Sequence, residues 1–440
     1  MNKILKVGSL LAGDVVVLYL SLTLAVLTRS WLTDRETLLR EHLTAFSVLF
    51  FVWLIIFYSH RLYDLTAAKN TLEFYTTLLR AVLANAVLAV LLFYFIPFFA
   101  VTPKIILFIF LAFFLALFAA WRQFINRTLK IHFNVNAIIV GKNERALELA
   151  AILNSNPQIG YSARAVPRQE LDVIFSSRGR PDVQTVIVEE KILASRQVSS
   201  ILYRLIEHGV EVIDFESFEE GLRRKVRLEK VDELWFLKYA ARGRRHGYDF
   251  LKRALDVGTV LFFSVPAIVL GIFIALAIKL GDRGPVLFHQ KRIGQNERPF
   301  TLIKFRTMVI NAEKDGVQWT KENDPRITPL GRFLRKSRLD ELPQFINILR
   351  GEVSFVGPRS ERPEFHEILK KEIPFYDKRS LIKPGFTGWA QINYPYGGAS
   401  VEETREKLAY DFYYIKHRSL LFDVGIIART IELVLSYRGR

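Results

Sequence analysis

Apolar and polar positions divide the chain into three textures. The first 121 residues carry four apolar runs, about Val7 to Leu27, Leu43 to Tyr58, Ala81 to Phe99 and Ile105 to Trp121. A helix needs roughly 17–25 such residues to cross ~30 Å of hydrocarbon. The pattern therefore predicts four transmembrane helices within residues 1–130. The first run exceeds the ~7–15-residue apolar core of a cleavable signal and no small-residue cleavage pattern follows it, so it is expected to stay on the chain. Eight basic residues (Lys3, Lys6, Arg61, Lys69, Arg80, Arg122, Arg127 and Lys130) flank the runs on the side shared by the N-terminus and the exit of the fourth; four (Arg29, Arg35, Arg40 and Lys104) flank the other. The positive-inside bias puts the N-terminus and everything after Trp121 in the cytoplasm. Asp14 and Asn85 interrupt the runs, and helix-to-helix hydrogen bonding is the expected reason.

From Asn134 short β-branched runs alternate with amphipathic stretches. Val135 to Val140, Thr185 to Val188 and Val210 to Phe215 read as strands; Arg145 to Leu153 and Val198 to His208 read as helices. This alternation predicts a Rossmann-like parallel-sheet domain over 134–240. Its first turn, Gly141-Lys142-Asn143-Glu144-Arg145-Ala146, begins like a dinucleotide fingerprint but lacks the second and third glycines that admit a pyrophosphate. A structural or regulatory domain is expected.

The third texture opens with an apolar run, Val257 to Leu280, interrupted by Gly258, Pro266 and Gly271. Proline removes one helical hydrogen bond and clashes with the carbonyl four residues back, and Ser264 stands near enough to satisfy freed groups. A helix bent there, over about 251–280, would enter one leaflet and return, leaving Lys252, Arg253, Lys279 and Arg283 all on the cytoplasmic side. Further on, Ile427, Ile431, Val434 and Leu435 have helical spacing and predict a packing helix.

Composition sharpens this picture. Half of the 440 residues are hydrophobic, 13% are aromatic and mean hydropathy is +0.18, which excludes a disordered or collagen-like chain. The formal charge of +17 suits anionic lipid, phosphorylated substrates or nucleic acid, and charge alone does not choose among them. Between Leu251 and Arg350 alone there are 17 Lys or Arg against 9 Asp or Glu. Cysteine is absent, so disulfides, thiolate catalysis and thiolate metal sites are excluded.

Six blocks after Tyr248 carry the chemistry: Gly284-Pro285-Val286-Leu287-Phe288 with Gln290, Arg292, Ile293 and Gly294; Lys304-Phe305-Arg306-Thr307-Met308; Asp324-Pro325-Arg326-Ile327-Thr328; Leu339-Asp340-Glu341-Leu342-Pro343-Gln344; Phe355-Val356-Gly357-Pro358-Arg359; and Lys383-Pro384-Gly385-Phe386-Thr387-Gly388-Trp389-Ala390-Gln391-Ile392. In this order they resemble the bacterial sugar transferase family, the monotopic polyprenyl-phosphate phosphoglycosyl transferases. The stretch Asn393 to Glu402 is similar to the branch associated with exosortase-linked exopolysaccharide systems. Two positions depart from the family pattern: Ser360 stands where a proline usually follows the arginine, and Val265 where a serine usually precedes the membrane-helix proline.

The resemblance implies a membrane α plus α/β protein: the four-helix bundle, the Rossmann-like domain, and a mainly α-helical catalytic domain over 248–440 with a re-entrant helix bent at Ser264 and Pro266. It implies transfer of a phospho-sugar from a UDP-sugar to undecaprenyl phosphate, with release of UMP, on the cytoplasmic face of a bacterial inner membrane. Asp340 matches the family nucleophile, which forms an acyl phosphate and divides one displacement into two. Glu341 is its adjacent acid, and both are candidate ligands of an implied Mg²⁺, since oxygen donors beside phosphate favour a hard cation. Arg335 and Arg359 match phosphate-binding positions, and Lys304 and Arg306 are further candidates for the same pocket. Inner-membrane lipid and a homodimer are the other implied partners; no nucleic acid is implied. Read without the resemblance, Asp340 is an N-cap for a helix from Glu341 to Leu349 that stops at Gly351.

Other classes make different demands. A nucleotide-sugar epimerase would need an intact glycine-rich turn and a Tyr-x-x-x-Lys pair; Tyr248 and Lys252 have that spacing, but at the mouth of an apolar segment. A non-catalytic membrane scaffold would have no use for the acid pair and its arginines.

Overall fold

The computed structural model describes residues 3–435 apart from 30–34, 61, 64–70, 96–103, 133–134, 142, 157–158, 171–182, 194, 241–245, 311, 313–323 and 395–399. Residues 96–99 of the third apolar run, Lys142 of the glycine turn and 395–399 of the branch-specific stretch lie outside the described residues. The chain is mostly helical and forms two compact units, Met1–Leu222 and Arg223–Arg440.

The first unit opens with helices α1 (Lys3–Arg29), α2 (Arg35–Ser59), α3 (Leu72–Phe95) and α4 (Lys104–His132), which share one apolar core. Phe46, Phe50, Trp53, Phe57, Phe110, Phe114 and Phe118 stack or meet edge-on through it. α1 and α4 contain stretches long and apolar enough to cross a membrane, Val7–Arg29 and Ile105–Thr128; the apolar parts of α2 and α3, His42–Tyr58 and Phe74–Val90, are shorter. α3 begins nine residues before the apolar run, because Phe74 and Leu78 continue the buried stripe of Ala81, Val82 and Ala89 toward its N-terminus. Asp14 pairs with Arg122 and accepts from the Trp121 indole, tying α1 to α4 as expected of a polar group there. Gly13 makes room, since a Cβ would collide with the Trp121 ring. Asn85 differs: it is fully buried and its amide has no hydrogen-bond partner among the described residues.

A four-stranded parallel sheet follows: β1 (Val135–Val140), β2 (Tyr161–Val166), β3 (Thr185–Val188) and β4 (Glu211–Asp214), in the order β2-β1-β3-β4. β2 escaped the sequence reading because Ser162 and Arg164 give it an edge strand's alternation, with Ala163 and Val166 inside. Phe215 begins a helix rather than ending the last strand. At the first turn Gly141 has φ +138°, which favours glycine. Beyond it Asn143 caps helix α5 (Glu144–Ser155), accepting from Ala146 N at 2.9 Å, and donates to Glu189 at 2.9 Å. Arg145 pairs with Glu219 at 2.9 Å. The helix N-terminus that would hold a pyrophosphate is engaged by the protein's own side chains.

In the second unit a helix runs unbroken from His246 to Asp282 through Pro266. Its stretch Gly247–Gly281 is long and apolar enough to cross a membrane. The Ser264 hydroxyl donates to Leu261 O at 2.7 Å rather than to the Phe262 carbonyl that Pro266 leaves free. Both flanks of this helix pack on the same unit. Near its start Arg253 donates to Ile348 O and Leu349 O at 2.6 and 2.7 Å, and Asp256 accepts from Phe355 N and Ser354 Oγ. Near its end Ile274 and Ile278 pack with Phe305 and Leu334. Between them Phe262, Val265, Ile268 and Phe273 are exposed. Tyr248 and Lys252 both direct their polar tips at buried Asp423, each at 3.0 Å, in a structural cluster with Tyr414.

The rest of this unit is an antiparallel hairpin, β5 (Leu287–Ile293) with β6 (Pro299–Phe305), a short parallel pair, β7 (Ser354–Val356) with β8 (Gly385–Thr387), and packed helices including Val401–His417 and Leu420–Leu435. The last helix forms as its spacing predicts but buries a face offset from the one read: Asp423, Ile426 and Thr430 are buried, Ile427 is partly buried and Ile431 is exposed. Val226, Val231, Trp235 and Phe236 belong to the core of this second unit, so the segment from 223 to 240 packs with the catalytic texture rather than with the parallel sheet.

Candidate active site

The acid pair is placed by a helix that abuts a strand exit. Thr328 caps the helix Pro329–Lys336 by accepting from Gly331 N at 2.9 Å, with proline at the first turn. A Cβ on Gly331 would run into the Thr307 carbonyl, so glycine lets the helix approach the end of β6 directly. Arg335, one turn on, then donates from Nε to Thr307 Oγ1 at 2.8 Å. The chain leaves this helix through Arg338, whose φ of +56° is unusual for a side chain of that size and costs on the order of 1 kcal/mol. That reversal starts a tight 3₁₀ turn, Leu339–Glu341, which turns Asp340 and Glu341 inward, each 7% exposed. The following helix starts at Gln344 with Pro343 at its cap, so Asp340 is not the N-cap that the residue pattern suggested. The predicted stop holds: Gly351 closes the helix at φ +79°.

Arg359 arrives from the opposite side, after β7. Gly357 N donates to Thr387 O at 2.9 Å and Gly385 N to Pro358 O at 2.8 Å, and a Cβ on Gly357 would meet the Lys383 carbonyl. This close pairing aims Arg359 at the acids, where Nη2 donates to Glu341 Oε1 at 2.9 Å. Glu341 Oε2 is buried with no hydrogen-bond partner among the described residues. Lys304 comes from β6, its ammonium 5.3 Å from the ring centre of Phe288, its partner in the hairpin register.

Electrostatically the two acids part. Burial, and then the charge of Glu341, push the Asp340 carboxyl up to about 7 despite the opposing pull of Lys304, Arg335 and Arg359. Burial also pushes Glu341 upward, but Arg359 and Arg338 outweigh it and hold the carboxyl below its ordinary range. Burial and the neighbouring Arg292 draw Lys304 down to about 8. Desolvation wins at Asp340 and paired charge wins at Glu341, so two adjacent acids sit in different protonation regimes at neutral pH.

Asp340, Glu341, Lys304, Arg335 and Arg359 thus come together from three segments. Arg306 does not join them in the same way: its guanidinium is buried against Gly284, where a Cβ would collide with it, and its amide donates to Val286 O. Ser264 and Pro266 lie in the exposed middle of the long helix. Three contributors went unassigned in the sequence. Arg292 holds Gln290, Ser360 O and Glu361; alternation along β5, which puts it on one face with Phe288 and Gln290, was the available signal. Thr307 was in a quoted block, but its hydroxyl's use depends on where Arg335 lands. The left-handed Arg338 left no sequence signal.

Comparison with known proteins bears on this arrangement. Residues 247–437 match the family described as Bacterial sugar transferase. Over 192 residues the chain is 42% identical to the UDP-N-acetylgalactosamine-undecaprenyl-phosphate N-acetylgalactosaminephosphotransferase of Aeromonas hydrophila, covering 44% of this chain and 45% of that protein. It is 41% identical over 184 residues to the UDP-glucose:undecaprenyl-phosphate glucose-1-phosphate transferase of Escherichia coli (strain K12), covering 41% and 39%. It is 38% identical over 195 residues to the exopolysaccharide production protein PSS of Rhizobium leguminosarum bv. phaseoli, covering 43% of this chain and 97% of that protein. The match spans less than half of the first two relatives and nearly all of the third. The agreement in both motif and extent settles the family: this chain belongs to the bacterial sugar transferases.

Proposed function

We propose that the protein is a polyprenyl-phosphate phosphoglycosyl transferase that moves a phospho-sugar from a UDP-sugar to undecaprenyl phosphate and so initiates exopolysaccharide or glycoconjugate assembly. The observation that carries this reading is the buried acid pair enclosed by Lys304, Arg335 and Arg359. Such a site suits a reaction in which negative charge is handled at phosphorus. The relatives' names supply the substrate classes.

In this mechanism an ionised Asp340 oxygen attacks the phosphorus that bears the sugar. The bond to the bridging oxygen breaks, UMP leaves with the electron pair, and an aspartyl phospho-sugar is left. An oxygen of undecaprenyl phosphate then attacks the same phosphorus, the bond to Asp340 breaks, and the carboxylate is regenerated. Arg359 and Arg335 present guanidinium groups to the phosphate oxygens and Lys304 a compact charge. Glu341 anchors Arg359. The donor set also fits Mg²⁺: two adjacent carboxylates, one with a buried oxygen lacking a partner, match an ion that takes one or two carboxylates and completes its shell with phosphate and water. Asp340 and Glu341 would hold it, and when bound it would neutralise diphosphate charge.

Four N-terminal spans and a re-entrant long helix belong to the same reading. Exposed apolar side chains run along the helix from Phe250 to Leu280, so its length by itself does not choose between a crossing and a dip. Since both flanks pack on one folded unit, a dip into one leaflet suits the helix better than a crossing. Positive-inside flanks then put the site on the cytoplasmic face of a bacterial inner membrane, where UDP-sugar and lipid phosphate meet.

The test is a panel of UDP-sugars with undecaprenyl phosphate and Mg²⁺, read as UMP release and lipid-linked product. Wild-type protein is expected to turn over at least one sugar, and Asp340→Asn none. Equal turnover by Asp340→Asn removes the nucleophile.

A further inference from the structure

The Arg359 side chain is 51% exposed, so packing walls do not fix it. Its guanidinium is held at the far end by Glu341 and at the near end by whatever holds its backbone. The expected proline after it is replaced by Ser360, which leaves φ of that residue free and removes one built-in restraint. Other groups supply the restraint. Arg292, from β5, donates to Ser360 O at 3.0 Å, and Ile293 N donates to Glu361 O at 2.8 Å. From the other side Arg379 Nη2 donates to the carbonyl of Arg359 itself at 2.9 Å.

Arg379 is itself well held. It lies on the 3₁₀ segment Tyr376–Leu381, which follows Phe375 at φ +61°. Its Nη1 donates to the Tyr376 hydroxyl at 2.7 Å, and its guanidinium lies 5.1 Å from that ring's centre. Nη2 is 2.8 Å from Asp411 Oδ2, on the helix Val401–His417. Tyr376 and Asp411 are each 1% exposed. A buried phenol accepts from Nη1, and the Nη2 that donates to the Arg359 carbonyl also forms the ion pair with buried Asp411, whose Oδ2 has no hydrogen-bond partner among the described residues.

We propose that Arg379, locked by Asp411 and Tyr376, is a positioning residue that sets the backbone of Arg359, and through it the guanidinium that receives the substrate's phosphate. This rests on the assignment of Arg359 to the diphosphate. Lysine at 379 keeps the charge that Asp411 needs but cannot serve Asp411, Tyr376 and the Arg359 carbonyl together, which makes Arg379→Lys the informative variant. Asp411→Asn releases the lock without touching the arginine.

The experiment is a double-mutant cycle on the full-length protein in detergent or lipid nanodiscs, reading kcat/KM for UDP-sugar and the melting temperature. Arg379→Lys is expected to lower kcat/KM about tenfold while melting near the wild type, Asp411→Asn to lower kcat/KM as far but to melt lower because it leaves a buried guanidinium unpaired, and Arg379→Lys to cost nothing further when Arg359 is already Gln. If Arg359→Gln alone keeps wild-type kcat/KM, the phosphate assignment of Arg359 fails. If Arg359→Gln loses activity while Arg379→Lys does not, or if the two losses multiply in full, the positioning role is overturned and the assignment stands. A fall in melting temperature that tracks the loss of turnover in both lock variants also overturns it, in favour of a purely structural pair.

Discussion

Asp340 and Glu341 share a peptide bond and the same burial, yet their titrations diverge, and the divergence has consequences for stability. Asp340 is raised from 3.8 to about 7, so its ionised form is disfavoured in the fold. The penalty is absent below about 3.8, grows as pH rises toward 7 and is complete above it. Glu341 is lowered, so its contribution is favourable above its ordinary 4.5 and is lost as pH falls through the lowered value. In chelator, to keep divalent ions away, Asp340→Asn is therefore expected to raise the melting temperature at pH 8 and to leave it nearly unchanged at pH 4. Glu341→Gln is expected to lower it at pH 8, because Arg359 loses its partner. Scanning calorimetry of both variants at both pH values checks the signs, and equal shifts for the two would contradict the account. At this scale the sequence was most informative where a residue type has few uses: a neighbouring acid pair and isolated arginines in a motif. It was silent where position alone decides the role, as for Thr307, whose hydroxyl matters because Gly331 lets a helix come close.

The long helix is the element on which sidedness depends. Gly247 and Gly281, near its two ends, have open space where a Cβ would stand, and the chain has no cysteine of its own. Single cysteines at 247 and 281 are thus expected to fold normally and to react with a membrane-impermeant maleimide from the same face of inverted vesicles. Labelling from opposite faces would make the helix a true span. The run Val257 to Leu280 was legible as an apolar segment because its length and composition leave few alternatives. The partner of Ser264 was not, since its hydroxyl bonds to Leu261 O, three residues back, rather than to the carbonyl that Pro266 leaves free. Shorter elements show the same division. Fully buried β3 was read from its β-branched run, whereas β2 was lost to two polar residues on its exposed face. The helix after the acid pair starts at Gln344, three residues later than its pattern predicts, because a 3₁₀ turn and an α-helical turn share the same apolar spacing over so short a stretch.

At the scale of the whole molecule the two units have separate cores, and the second carries all the proposed chemistry. A fragment of residues 223–440 is expected to retain UMP release, whereas one starting at 247 should aggregate, because it lacks Val226, Val231, Trp235 and Phe236 from the core. Activity confined to the intact chain would give the first unit a direct part in catalysis. Residues 304, 340 and 359 have no periodic relation, so hydropathy could not bring them together; only the ordered motifs did, and the boundary at 222 left no compositional mark. The proposed chemistry turns on a phosphoryl group carried by one carboxylate. Incubating the protein with UDP-sugar and Mg²⁺ but without lipid acceptor, then quenching and mapping peptides by mass spectrometry, tests it most directly. A phospho-sugar adduct on Asp340 that disappears when undecaprenyl phosphate is added is the expected result; lipid-linked product forming with Asp340 never modified would rule the covalent route out.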